Sequence, residues 1–316
     1  MMRTFIALTA LVSIPMTTAA CAASGSSSKP DAPAASASGS RPISLPSRPG
    51  SVTIGSADFP ESELLAYIYA GAMRARGVKV TIHANIGERP AYLAALRDGS
   101  IGAVPEYSGA LLDWLDTSAT ATTPRAVDAQ LQTVAARQGL TVTNYAQAQD
   151  VDTITVTKAT AHKYHLSSIG DLEQIAGKLT LGAPAPLLTV PYGVPALKRV
   201  YGVVVHRFVP LPASGTVTQL ALRNGTVQAA DIFSTDPSIT RYGFVSLKDP
   251  KKIFAAENVL AVFKQSVLTK PMLAGCNAVS ARLDTASLRD LDGRVTAGED
   301  PAAVASRWLK TTAIAE

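Results

Sequence analysis

The sequence predicts an α/β fold with mostly parallel sheets. Short apolar segments with strand spacing recur along the chain, stretches with helical spacing follow them, and glycines stand where those helices would stop. Of the 316 residues, 47% are hydrophobic and 17% charged, which is enough for a sizeable core and excludes a disordered or coiled-coil chain. The length allows two domains or one divided domain.

Val52-Thr53-Ile54 reads as the first strand, followed by a turn over Gly55 to Pro60 and a helix from Glu61 to Arg76 that Gly77 stops. Val78 to Ile82 alternates as a second strand, Pro90 sits where a helix begins, and that helix runs through Arg97 to Gly99. Ile101 to Val104 is a third strand, and Pro124 to Gln138 is a helix ended by Gly139. Strand spacing returns at Leu140-Val142, Ile154-Val156, Leu179-Ala183, Val203-Val205, Ala229-Phe233 and Phe244-Leu247, with helices over Pro195-Val200 and Thr216-Arg223 between them.

In such folds ligands sit beyond the carboxyl ends of strands. The turns in those positions are Ser56 to Glu63, Pro105 to Leu111, Pro184 to Tyr192 and Ser234 to Ser238, which put forward Ser56, Asp58, Tyr107, Ser108, Tyr192, Thr235 and Asp236. Capping by Ser62, Asp236 and Ser238 is the structural alternative at any single turn. Four such turns at equivalent positions favour one shared cleft.

The chain opens with one cation, Arg3, an apolar run from Phe5 to about Met16, and Thr18-Ala19-Ala20 before Cys21. This reads as a secretory leader over residues 1–20, too short for a span of about 20 apolar residues. Small residues before a cysteine resemble a bacterial lipobox, so Cys21 is the expected lipidation site and the folded part is expected to lie outside the cytoplasm, anchored to the cell membrane. Ordinary signal cleavage beside an incidental cysteine is the alternative. In residues 21–50, nine Ser, six Ala, five Pro and three Gly predict a disordered tether, about 30 Å in root-mean-square span.

The formal charge is +5. Four cations (Arg3, Lys29, Arg41, Arg48) and one anion (Asp31) lie in residues 1–50, so the remainder carries 25 cations against 23 anions. With no basic patch interleaved with aromatics in that remainder, no nucleic-acid partner is expected.

Catalytic and cofactor motifs are lacking: the chain has no G-x-G-x-x-G, no phosphate loop ending in Lys-Ser or Lys-Thr, no G-x-S-x-G and no C-x-x-C. His162 and His165 make at most half a metal site, and a solvated helix face is the plainer reading. Asp150 and Asp152 are either a carboxylate pair or the start of a strand, and Cys276 reads as core. No enzyme, cofactor or metal is expected.

At the turns the letters become specific. Val52-Thr53-Ile54-Gly55-Ser56 with Phe59 and Glu61, Asn85-Ile86-Gly87, Ala94-Ala95-Leu96 and Pro105-Glu106-Tyr107-Ser108-Gly109 resemble the substrate-binding proteins of osmoprotectant (glycine betaine, choline, carnitine) ABC importers. In the second half Tyr192-Gly193-Val194-Pro195-Ala196-Leu197, Tyr201-Gly202, Ala221-Leu222-Arg223-Asn224-Gly225 and Ala230-Asp231-Ile232-Phe233-Ser234-Thr235-Asp236 agree.

The resemblance implies a two-lobed, class II periplasmic-binding-protein fold, a clamshell with two chain crossings near Asp150 to Thr155 and Lys252 to Glu257. One lobe would comprise residues 51–151 and 257–316, the other 152–256. It implies a monomeric receptor that delivers a small-molecule solute to the permease subunits of an ABC importer. Ligands of the family carry a quaternary ammonium, held by aromatic faces at about 0.5 to 2 kcal/mol each.

By the same resemblance Tyr107 and Phe233 keep aromatic cage positions, whereas the other two fall at Asp152 and Glu257. The family's carboxylate donors, a Lys, a Thr and an Arg, fall at Ala57, Ala110 and Val190. Losing two aromatic walls and a charge-assisted pair would weaken betaine binding by about 3 to 5 kcal/mol, or roughly 10² to 10³-fold. The expectation is a cationic or hydroxyl-rich ligand without a carboxylate. The alternatives are acids tied to Arg89 or Lys158, a sensing lipoprotein for a polyol or an aromatic compound, and an enzyme built on Asp150, Asp152 and Glu257.

Overall fold

The computed structural model describes residues 44–315. The expected leader, the expected lipidation site Cys21 and most of the expected tether lie outside the described residues. Where the expected tether ends, the chain is already bonded to the folded body: Lys270 N–H donates to the Pro46 carbonyl at 2.9 Å and Lys79 N–H to the Gly50 carbonyl at 3.1 Å.

Two five-stranded sheets organise the chain. The first holds β1 (Ser51–Gly55), β2 (Lys79–His83), β3 (Ala103–Tyr107) and β4 (Leu140–Val142). The second holds β5 (Asp152–Val156), β6 (Thr180–Ala183), β7 (Arg207–Pro210), β8 (Ala229–Phe233) and β9 (Val245–Ser246), after which β10 (Val259–Lys264) returns to the first. Their orders, β2-β1-β3-β10-β4 and β7-β6-β8-β5-β9, repeat one pattern.

The sheets are mixed rather than mostly parallel. β10 runs antiparallel to β3 and β4, and β5 antiparallel to β8 and β9. Both begin where the chain has just crossed between sheets, so they start at the edge where β3 and β8 end.

The helices are α1 (Pro60–Arg74), α2 (Arg89–Asp98), α3 (Ser108–Leu115), α4 (Pro124–Arg137), α5 (Lys158–Lys163), α6 (Val194–Tyr201), α7 (Gly215–Arg223), α8 (Ser238–Tyr242), α9 (Lys270–Ser280), α10 (Thr285–Thr296) and α11 (Pro301–Thr311). α1 starts at a proline, carries Glu61 and Glu63 in its first turn and Arg74 in its last, and so matches its own dipole. α2 stops at Gly99, whose φ of 94° suits a residue without Cβ.

Each sheet has its own core. α1 places Leu64, Leu65, Ile68, Tyr69 and Met73 against β10, α9 and α11 around the first. Ile154, Leu181, Leu197 and Phe254 belong to the core of the second. The sheets are joined by residues 143–151 and 247–258, which pair at Gln149 and Asn258. Asp150 N–H donates to the Glu257 carbonyl at 3.1 Å.

The strand expected at Val203-Val205 forms later, as β7. β10, α3, α8 and α9 to α11 are additions to the elements expected from sequence. Among the described residues no helix is long and apolar enough to cross a membrane, and no cluster of His, Cys, Asp and Glu is arranged to hold a metal ion.

Candidate functional site

The carboxyl ends of β1 and β8 lead to one cavity of about 1180 Å³. Phe59 and Glu61 line it from the first sheet's side, Phe233, Thr235 and Asp236 from the second's, and Asp150 from the crossing between them. α10 adds Arg289 and Asp292.

Aromatic surface gathers at the mouth of α1. Phe59 precedes the helix, is 39% exposed, and stacks on Tyr107 with ring centres 6.4 Å apart and planes inclined by 22°. The Tyr107 hydroxyl donates to Glu61 Oε1 at 2.5 Å. Glu61 Oε2 has no hydrogen-bond partner although the residue is only 6% exposed. Such a group is costly unless something donates to it.

Burial, and then the neighbouring Asp150 charge, push the Glu61 carboxyl well above the usual range. Burial likewise pushes Asp150 up to about 6 against a bond of 2.6 Å from the Thr235 hydroxyl, and Asp292 up to about 7, aided by Asp150 and Asp236. Asp236 is better supplied: the Gln219 amide donates to both its oxygens at 3.1 Å and Ser238 N–H to one at 2.8 Å. The Arg289 guanidinium is spent on the Ser234 carbonyl, at 2.9 Å from Nε and 2.5 Å from Nη2.

A second acidic group sits deeper along the crossing. Burial and then the Asp152 charge push Asp231 well up, and Asp152 itself is raised by burial. Glu257 lies over the start of α3, where Ala110 N–H donates to it at 2.9 Å. Burial still raises its carboxyl to about 8, opposed by that bond and by the Arg89 charge. Partial burial, and then the Asp152, Asp113 and Glu257 charges, raise the hydroxyl of the half-exposed Tyr192. Neither Asp152 nor Glu257 has an ion pair among the described residues; Arg89 is bidentate on Glu106, at 2.9 and 3.1 Å.

Gly109 makes the Glu257 arrangement possible. A Cβ there would stand 2.7 Å from the Ala256 carbonyl oxygen and 2.7 Å from Glu257 Oε1. Gly109→Ala is therefore expected to cost about 1 to 3 kcal/mol in chemical denaturation. A change below about 0.5 kcal/mol would contradict this close fit.

Of the residues put forward from sequence, Phe233, Thr235 and Asp236 share the cavity wall. The Ser56 hydroxyl is engaged with Ala57 and Asn85, and that of Ser108 with Ala256 and Asn258; both tie loops together. Asp58 is exposed. Tyr107 reaches the cavity through Glu61, while Asp152 begins β5 at the end of one crossing, Glu257 lies in the other, and Tyr192, in the loop before α6, is outside the cavity wall. Sequence reasoning missed Glu61, Arg289 and Asp292 as site residues. The first was visible as an acid in the turn after β1, whereas the others are surface-like letters of an amphipathic helix.

The profile of the substrate-binding domain of ABC-type glycine betaine transport systems matches residues 50–311. The carnitine transport binding protein OpuCC of Listeria monocytogenes is 26% identical over 162 residues, 49% of this chain and 51% of that protein, so the chain spans about half the length of this relative. A glycine-betaine-binding protein of Pseudomonas aeruginosa is 24% identical over 276 residues, 81% of this chain and 86% of that one. The crystal structure of a glycine betaine/carnitine/choline ABC transporter shares the fold with a TM-score of 0.77 at 24% identity, over 84% of this chain and 98% of that one. A match that begins just before β1 and ends with α11, on two lobes that meet at a common cavity, leaves one conclusion: the chain belongs to the family of substrate-binding domains of ABC-type glycine betaine transport systems.

Proposed function

We propose that the protein is the extracytoplasmic receptor of an ABC importer for a cationic compatible solute, and that its cleft prefers a ligand without a carboxylate. The observation that carries this reading is the pairing of aromatic surface at Phe59, Tyr107 and Phe233 with carboxyls that have no ion-pair partner among the described residues. Aromatic faces attract a quaternary ammonium, whose charge draws the raised carboxyls toward their ionised forms; once ionised they attract it and repel a ligand carboxylate. Arg289, a cation at the cavity, is already committed to a backbone carbonyl.

In this reading residues 51–151 with 257–316 form one lobe and 152–256 the other. They close by rotation about the paired crossing segments, so that bound solute selects the closed form. Ser56, Asp58, Tyr107, Ser108, Asp152, Tyr192, Phe233, Thr235, Asp236 and Glu257 are the proposed surroundings of the solute. Cys21 is the proposed lipid anchor, the permease subunits are the partners, and the receptor works as a monomer without a cofactor.

Titration calorimetry with choline, glycine betaine, carnitine and a polyol tests the ligand class. Choline is expected to bind at least about tenfold tighter than glycine betaine, the equivalent of 1.4 kcal/mol. Tighter binding of glycine betaine overturns the preference, and binding of the polyol alone favours the sensing alternative.

A further inference from the structure

Five carboxyls line the cavity from four places in the fold: Glu61 from α1, Asp150 from the crossing, Asp236 from the turn after β8, and Asp292 with the exposed Asp290 from α10. None of them is in an ion pair among the described residues. Of the cations that line the cavity, Arg289 donates to Ser234, Arg294 is paired with Glu299, and Arg241 of α8 is exposed to solvent. Thr235 supplies Asp150, and Gln219 with Ser238 N–H supplies Asp236. Two buried polar atoms at the cavity are left without a partner: Glu61 Oε2, and the Oγ of Ser238, a residue 2% exposed.

A quaternary ammonium presents methyl groups and no N–H. It can lie against Phe59 or Phe233, but it leaves Glu61 Oε2 as unsatisfied as before. An ammonium that keeps its hydrogens brings both the charge and the donors. The cavity of about 1180 Å³ also exceeds the roughly 300 to 1,000 Å³ usual for one small ligand. There is room for a chain with a second charge.

We infer that the part of the cavity bounded by Glu61, Asp150, Ser238 and Asp292 is a second cation subsite, specific for an ammonium bearing N–H donors. The protein therefore accepts short aliphatic diamines and polyamines beside quaternary solutes. Their methylenes would lie along Phe59 and Phe233, with an ammonium among the carboxyls. The inference rests on the reading of the cleft as a cation receptor. Because Asp150 and Asp292 hold their protons up to about 6 and about 7, facing Glu61, Asp152, Asp236 and the Arg289 charge, with Asp290 and Arg241 on the same cavity wall, an arriving cation favours their ionised forms. Binding then releases protons into that pH range.

The experiment is calorimetry of the full-length protein with spermidine, choline and tetramethylammonium at about pH 6.5, between those two values. It is run in two buffers of different ionisation enthalpy, on the wild type, Glu61→Gln and Asp292→Asn. Spermidine is expected to bind the wild type with proton release and to lose roughly 10- to 100-fold in each variant. Tetramethylammonium is expected to change by less than about threefold in Asp292→Asn. If choline binds the wild type and spermidine does not, the subsite is overturned and the receptor reading survives. If no cation binds, the receptor reading itself falls. Equal losses for spermidine and tetramethylammonium in Asp292→Asn would indicate a general field and overturn the N–H specificity. Wild-type proton release does not depend on either variant folding, and its absence with bound spermidine also overturns the inference.

Discussion

The ligand-free protein is expected to lose stability as the pH rises from about 5 to 8, by several kcal/mol in all. Asp150, Asp292 and Glu257 ionise near 3.8, 3.8 and 4.5 when free of the fold, and at about 6, about 7 and about 8 within it. Between each pair of values the folded chain binds more protons than the unfolded one, so the slope of stability against pH is negative there. The favourable state is complete below the unfolded values and is lost as the pH climbs through the folded ones.

Carboxyls held low, such as Asp98, Asp116 and Glu299, are exposed and act mostly below pH about 4, so they leave the window to the buried acids. Denaturant titrations at three pH values across it measure the slope. A flat or rising profile would remove the claim that these carboxyls stand unpaired in the folded chain.

The same acids mark how far the sequence could be read. β1, β2 and β8 are short, apolar or alternating, and bounded by turns, so spacing alone located them to within a residue or two. β10 is as apolar as any strand in the molecule, yet its partners β3 and β4 lie more than a hundred residues back, and spacing says nothing of an antiparallel return. β7 shows the opposite failure. Val203 to Val205 has the better strand letters, but Val203 N–H is taken by the Leu197 carbonyl at the end of α6, and pairing with β6 starts only at Arg207.

At the site, turns following strands pointed to Phe233, Thr235 and Asp236 because that rule is local. Arg289 and Asp292 come from a helix whose letters resemble any solvated face, and only the packing of α10 on α1 and α11, with Arg289 reaching the turn after β8, turns them inward. Ser56 and Ser108 were equally visible in sequence. Which hydroxyls serve the backbone and which face a cavity is decided by partners up to 150 positions away.

The ion pair beneath Tyr107 gives the largest single-site effect expected in the fold. Glu106 is 1% exposed, and it accepts from Arg89 Nε at 2.9 Å, Arg89 Nη2 at 3.1 Å, the Tyr92 hydroxyl at 2.8 Å and Tyr107 N–H at 3.0 Å. Arg89→Met keeps the aliphatic stem but removes both guanidinium bonds, leaving a buried carboxylate with two neutral donors. Loss of one partner from such a pair costs about 3 to 5 kcal/mol. The two remaining bonds, and the ability of Glu106 to take up a proton, place the expected loss near the lower end.

The Glu257 carboxyl, whose rise the Arg89 charge opposes, should move further up in the same variant. Glu106→Gln removes the charge that made the loss severe, so the double variant Arg89→Met/Glu106→Gln is expected to be more stable than the sum of the single losses by at least about 1.5 kcal/mol. A double-mutant cycle by denaturant titration measures that difference. Additivity to within about 0.5 kcal/mol would show that Arg89 and Glu106 are not coupled. Coupling matters for the site because Glu106 holds the backbone of Tyr107, whose ring is stacked on Phe59 and whose hydroxyl carries Glu61. Weakening the pair should therefore loosen the aromatic wall and the first carboxyl of the cavity together.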